Sequence, residues 1–233
     1  MTEPFHDRAE AGRVLAEKLA GYTDRPNVIV LALSRGGAPV AFEVACALRA
    51  PLDVFLVRKL GVPGREELAM GAIATGGVRI VNRHVVKRLG IRQRDLDSAT
   101  AREWDELHRR EREYRDGRPV PNPRGRTVIL IDDGLATGIT MRSAVVALRR
   151  QKPGRLVVAV PVAALETCEQ FQNEVDEAIC VRTPKPFHSV GTWYDDFTQT
   201  TDAEVRDLLA RASARSRRKE RSAKPDQPRT GAL

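Results

Sequence analysis

The stretch Val128-Ile129-Leu130-Ile131-Asp132-Asp133-Gly134-Leu135-Ala136-Thr137-Gly138-Ile139-Thr140 decides how this chain is read. Its apolar run has the continuous pattern of a strand buried on both faces, as strands of parallel sheets are. Two adjacent carboxylates end the run. A short loop follows, and then a helical pattern over residues 139–150. Ligands of open α/β sheets bind at the carboxyl ends of the strands. The small residues within Ala136-Thr137-Gly138-Ile139-Thr140 let backbone N–H groups approach an anion. The helix N-terminus favours that anion by about 0.3–1 kcal/mol when exposed and up to about 2 when partly buried. Thr137 and Thr140 add hydroxyl donors. Asp132 and Asp133 would repel a phosphate set beside them, but they suit sugar hydroxyls or a divalent cation held through water. The segment therefore implies a ligand with a phosphate at one end and a diol next to it.

Working outward, residues 27–33 (NVIVLAL) form a second continuous apolar run, bounded by Pro26 and by Ser34-Arg35-Gly36-Gly37. Two glycines there permit close backbone approach, and Arg35 puts a cation at the same sheet edge. Residues 52–57 (LDVFLV), 156–162 (LVVAVPV) and 177–181 read as further buried strands. Helical patterns fill the gaps at 39–48, 164–173 and 203–212. Strands alternating with helices predict an α/β fold, a mostly parallel central sheet with helices on both faces. Residues 7–21 place Ala11, Val14, Leu15 and Leu19 at helical spacing, with Asp7 and Glu10 as a capping box. Residues 70–81 read as a hairpin turning at Thr75-Gly76-Gly77. Residues 95–116 predict a charged helix with Leu96, Trp104, Leu107 and Tyr114 on one stripe, ended by Gly117, Pro119, Pro121 and Pro123. No GxxxxGK[ST] loop accompanies the Asp-Asp strand, and no GxGxxG follows a strand, which removes the two common nucleotide-binding alternatives.

After the second strand, Arg58 and Lys59 precede a Gly/Pro-rich stretch, Gly61-Val62-Pro63-Gly64-Arg65-Glu66-Glu67, which reads as a mobile loop. Residues 185–197 (KPFHSVGTWYDDF) are unusually aromatic for a chain in which only 5% of residues are aromatic. That low share argues against a nucleic-acid surface built on stacked rings. The three cysteines, Cys46, Cys168 and Cys180, show neither a CxxC pattern nor a disulfide framework, and a reducing cytosol fits them. No apolar run is long enough for a membrane span, and no secretory signal is visible at the start.

These motifs together resemble the type I phosphoribosyltransferase family, and in particular bacterial phosphoribosyltransferases without an agreed acceptor. The resemblance covers roughly residues 25–200. It implies a central-sheet domain over 1–210, with a small hood partly from about 183–200. It also implies that 5-phosphoribosyl 1-pyrophosphate (PRPP) is a co-substrate with Mg²⁺, and that the phosphoribosyl group moves to a nitrogen acceptor as pyrophosphate leaves. Asp132 and Asp133 would hold the ribose hydroxyls and, through water, the metal. Ala136, Thr137, Gly138, Ile139 and Thr140 would cradle the 5-phosphate. Ser34, Arg35, Gly36 and Gly37 would face the pyrophosphate, with Arg58 and Lys59 as its further cations. Phe187 and Tyr194 are the candidates for the acceptor site. Many relatives carry a larger residue where this chain has Gly134, a change expected to widen the site. Family members are often homodimers.

The net charge of +8 on 233 residues is concentrated at one end. From residue 211 onward eight basic residues face two acidic ones, a net +6, which leaves +2 for the rest. Residues 211–233 read as a basic, disordered tail. This keeps open an alternative to the enzyme: a non-catalytic PRPP- or nucleotide-sensing regulator whose tail binds nucleic acid. A hydrolase using water as acceptor is a third reading.

Overall fold

A computed structural model describes residues 3–223. The predicted apolar runs become a five-stranded parallel sheet of β1 (Val28–Leu33), β2 (Leu52–Phe55), β6 (Thr127–Ile131), β7 (Arg155–Val162) and β8 (Glu177–Arg182), in the order β2-β1-β6-β7-β8. A second, antiparallel sheet holds β3 (Val57–Val62), β4 (Arg65–Ala74) and β5 (Val78–Val81) in chain order.

Strand side chains alternate between the two faces, and the core divides accordingly. Val28, Val30, Ala32, Ile129 and Ile131 pack with α1 (Arg8–Lys18), α2 (Gly37–Leu48), α4 (Gln93–Arg115) and α7 (Asp202–Ala223). Ile29, Leu31, Leu33, Val128 and Leu130 pack with α5 (Ile139–Arg150) and α6 (Leu165–Glu174). Both faces are thus covered, as the uninterrupted apolar strands require. The N-terminal cap forms as expected: the Asp7 carboxylate accepts from the Glu10 N–H at 2.7 Å. The hairpin at 75–77 also forms, with Gly76 and Gly77 at φ +86° and +76°. Positive φ at both central residues is what a tight hairpin turn demands.

Three expectations change, and one element appears that the sequence did not announce. The stretch read as a mobile loop is a β-hairpin, because β3 and β4 pair on either side of Pro63 and Gly64. A short helix, α3 (Arg83–Arg88), follows β5. It buries none of its residues, so no apolar period announced it. Residues 211–223 are not a disordered tail but the second half of α7. Ala212 is buried there and the Arg211 guanidinium lies 4.7 Å from the Phe42 ring centroid, so the helix keeps its tertiary support past residue 210. The rest of the predicted tail, 224–233, lies outside the described residues. Finally, Cys168 and Cys180 form a disulfide. The chain turns back from α6 into the neighbouring β8 within 12 residues, which brings together two cysteines whose spacing resembled no framework. Among the described residues no helix is long and apolar enough to cross a membrane.

Candidate active site

β1 and β6 are parallel neighbours with Ala32 opposite Ile131, so the loops that follow them leave the same edge of the sheet. The contact between those loops is close. A Cβ on Gly36 would lie 2.2 Å from Asp133 Oδ2, and one on Gly37 would lie 2.5 Å from the Ile131 carbonyl oxygen. Any side chain at either position would displace the acid pair. The Gly-Gly step is therefore there for space, and two motifs far apart in sequence become one wall. The peptide bond between Ser34 and Arg35 in this loop is cis.

The acid pair is half-buried. The Asp132 carboxyl is held well above the ordinary carboxylate range, first by burial and then by repulsion from Asp133. Asp133 is also raised by burial, against the opposing pull of Arg8. Arg8, the first residue of α1, reaches across the fold, and its Nε donates to Asp133 Oδ2 at 2.9 Å. Asp132 Oδ1 accepts from the Asp133 N–H at 2.9 Å, and the Tyr194 hydroxyl donates to the Asp133 carbonyl at 2.6 Å. Among the described residues no group of three or more His, Cys, Asp or Glu is placed to hold a metal by itself. Two adjacent half-buried carboxylates nonetheless fit Mg²⁺, which keeps several waters and takes most of its remaining ligands from substrate.

Next to the acids, Gly138 takes up a left-handed conformation (φ +69°) and opens α5, whose N-terminus has no side-chain cap. Ile139 and Thr140 follow it in the first turn of the helix, and Ala136 and Thr137 lie immediately before it. The first N–H groups of a helix lack intrahelical partners, so this end is suited to an anion. The loop's shape is set from outside. The Thr167 hydroxyl donates to the Ala136 carbonyl at 2.7 Å, and Arg142 Nη1 donates to the Thr137 carbonyl at 2.8 Å. A Cβ on Gly138 would meet the Phe171 ring at 2.7 Å.

The cations are arranged differently. Arg35 lies 3.6 Å from Asp202 at the start of α7, and the Tyr114 hydroxyl donates to that same carboxylate. Burial and this hydrogen bond push the Tyr114 hydroxyl up to about 12. Arg58 pairs with Glu103 of α4 at 2.6 Å, and Lys59 with Glu67 across its own hairpin at 3.5 Å. Leu33 is opposite Phe55, so Arg58 and Lys59 begin beyond the same sheet edge. Among the described residues, however, their ion pairs are with these local carboxylates and not with the acid pair.

The hood contributes structure where aromatic contact with an acceptor was expected. Residues 194–196 run beside the N-terminal segment: Asp195 N–H donates to the Phe5 carbonyl at 2.8 Å and Asp196 N–H to the His6 carbonyl at 2.9 Å. Tyr194 is buried against Phe5 and Val162, with Phe187 packed on the same cluster. The Tyr194 ring is therefore a prop beneath Asp133 and not an open platform, a correction to its reading as an acceptor residue. Gly134 does not widen the site either, because Val190 of the hood already fills the space, 2.5 Å from where a Cβ would stand. Sequence reasoning missed Arg8, Thr167, Arg142, Tyr114 and Asp202. Each is an ordinary helical residue whose role depends on where its helix docks.

Comparison with known proteins agrees with this geometry. The Phosphoribosyl transferase domain matches residues 3–185. Two Mycobacterium tuberculosis proteins, from strains CDC 1551 and H37Rv, are provisionally named phosphoribosyl transferases, and each is 44% identical to this chain over 208 residues. The match covers 89% of this chain and 47% of theirs, so the chain spans about half the length of these relatives. The crystal structure of TT1426 from Thermus thermophilus superposes with a TM-score of 0.78 at 40% identity, covering 89% of this chain and 98% of that one. The chain belongs to the type I phosphoribosyltransferase family, among relatives whose names specify no acceptor.

Proposed function

We propose that this domain transfers the 5-phosphoribosyl group of PRPP to a nitrogen acceptor and releases pyrophosphate. The observation that carries the reading is the contact of Gly36 with Asp133, which sets a cation-bearing glycine loop directly against a pair of half-buried acids. A ligand spanning that wall needs a hydroxyl-rich centre with anionic groups on either side.

In this reading Asp132 and Asp133 accept from the ribose hydroxyls. Backbone N–H groups at 137–140 and the hydroxyls of Thr137 and Thr140 take the 5-phosphate. Arg35, with the backbone at Gly36 and Gly37, faces the pyrophosphate. The bond from the anomeric carbon to the pyrophosphate oxygen breaks, its electron pair leaves with that oxygen, and the acceptor nitrogen bonds to the carbon and loses its proton. These side chains position the reactants and stabilise the charge that grows on the leaving group. No covalent enzyme nucleophile is called for. Mg²⁺, held by Asp132 and Asp133 through water, would supply further charge neutralisation on the pyrophosphate.

The test is pyrophosphate release from PRPP and Mg²⁺ across a panel of nucleobases and small amines, with a no-acceptor control and PRPP binding measured on the same sample. Acceptor-dependent release supports the transferase. Release without acceptor shows a hydrolase, and binding without release across the panel favours a sensor or an acceptor outside the panel. Asp133→Asn removes a charged acceptor from the diol site. It should weaken PRPP binding by about 10- to 150-fold while the protein stays folded. Unchanged affinity would remove the acid pair from the ligand site.

A further inference from the structure

Arg8 lies far from every motif, yet it makes the closest ion pair at the acid end. Its side chain and that of Asp133 are only 10% and 14% exposed. The guanidinium is fixed on three sides. Nε donates to Asp133 Oδ2, Nη1 donates to the Thr198 carbonyl at 2.8 Å, and Cζ lies 4.0 Å from the Phe197 ring centroid. The same Oδ2 is the atom against which Gly36 is pressed. One carboxylate oxygen is thus clamped between a cation from α1 and the backbone of the glycine loop.

We propose that Arg8 is a positioning residue for the ribose end of the site. By occupying Asp133 Oδ2 it fixes the rotation of the carboxylate and turns Oδ1 toward the sugar hydroxyls. It also ties that orientation to the docking of residues 194–198 on the N-terminal segment. The inference rests on the PRPP reading of the acid pair. A planar guanidinium can serve carboxylate, carbonyl and ring together. A lysine ammonium is a point charge without that fork. Lysine at this position should keep the charge and lose the clamp.

Calorimetric titration of the full chain with PRPP, and separately with inorganic pyrophosphate, both with Mg²⁺, tests this on wild type, Arg8→Gln and Arg8→Lys. Arg8→Gln should lose about tenfold or more in PRPP affinity and nothing in pyrophosphate affinity, with Arg8→Lys between it and wild type. In turnover the variants should raise KM for PRPP more than they lower kcat. Phe197→Ala removes a ring that is 37% exposed and packs on Arg8 and Tyr194, so it loosens the clamp while leaving the Arg8–Asp133 pair in place, and it should produce a smaller fall of the same kind. Wild-type PRPP affinity in Arg8→Gln would overturn the proposal. So would an equal loss for PRPP and pyrophosphate, which would mark Arg8 as a structural residue. A wild-type protein that binds pyrophosphate but not PRPP would take down the ribose assignment itself, and this inference with it.

Discussion

The acid end of the site is built into the sheet, whereas part of the cation end rides on a hairpin beside it. Asp132 and Asp133 follow a fully buried strand and are held by Arg8, Tyr194 and the glycine loop, contacts that come from separate parts of the chain. Arg58 and Lys59 sit on β3, where the one is half-buried and the other exposed, and each pairs with a nearby carboxylate. The first arrangement has no room to adjust. In the second, Arg58 and Lys59 are paired with Glu103 and Glu67, carboxylates that a pyrophosphate would compete with if these cations serve it. On the proposed function, the site would combine a preformed half with a half assembled on binding.

The largest effect should come from breaking the preformed half by volume alone. In Gly36→Ala the new methyl would sit 2.2 Å from Asp133 Oδ2. Overpacking of this kind costs about 1–3 kcal/mol, and here it also displaces the carboxylate from Arg8. PRPP affinity should fall at least as far as in Asp133→Asn, with a lowered melting temperature. Near-wild-type binding would mean that the acid end yields, and the contrast with the hairpin would disappear.

A second test separates rigidity at the acids from rigidity of the phosphate loop. Thr167 and Phe171, which shape that loop, lie on α6, and α6 is tied to β8 by Cys168–Cys180. Chain-entropy arguments give a bridge across 12 residues about 3 kcal/mol of stability. Melting with and without reductant should show that loss as a fall of several degrees. If the acid end is independently preformed, the reduced protein still binds PRPP at room temperature.

How far this organisation can be read in the sequence follows the same division. The central strands are legible because burial on both faces leaves an unbroken apolar run, as in residues 128–131. The acid pair, the glycine step and the phosphate loop are legible because their chemistry is written in adjacent residues. Arg8 is not, since an arginine in the first turn of a charged helix has no signature until that helix docks on Asp133. Nor is the disulfide, because two cysteines on successive elements meet only once β8 is placed beside β7. The hairpin escapes for a simpler reason: its Gly and Pro mark the turn, and the charged residues of its exposed outer end mask the strands that flank it. The charge of 211–223 suggests a tail, although its alanines and arginines are good helix formers.

The assembled half gives smaller effects. Lys59→Ala breaks a pair whose side chains are 46% and 102% exposed. Stability should stay within about 0.5 kcal/mol of wild type. Pyrophosphate affinity should fall several-fold, and more at low salt, because an exposed cation acts through a screened field. A large loss of stability would show that the hairpin is as rigid as the acid end.

The smallest effect, and the one that sharpens the contrast in sign, belongs to Glu106 on α4. Arg109 and Arg110 hold its carboxyl down at about 2, against an ordinary value of 4.5. A depressed carboxylate contributes stability that is fully present above the ordinary value and is lost as pH falls through the depressed one. The contribution of Glu106 should therefore disappear between about pH 4.5 and 2. The half-buried acid pair behaves oppositely, because desolvation raises both carboxyls and repulsion from Asp133 adds to it at Asp132, so charging them costs stability as pH rises. Glu106→Gln should lower the melting temperature by no more than about a degree or two at neutral pH. The difference from wild type should shrink in high salt and vanish toward about pH 2. Asp132→Asn should do the reverse, raising stability at neutral pH while it weakens PRPP binding. That result would show the acid end to be strained for the sake of its ligand, and the Glu106 cluster of α4 to be charged only for the helix's own support.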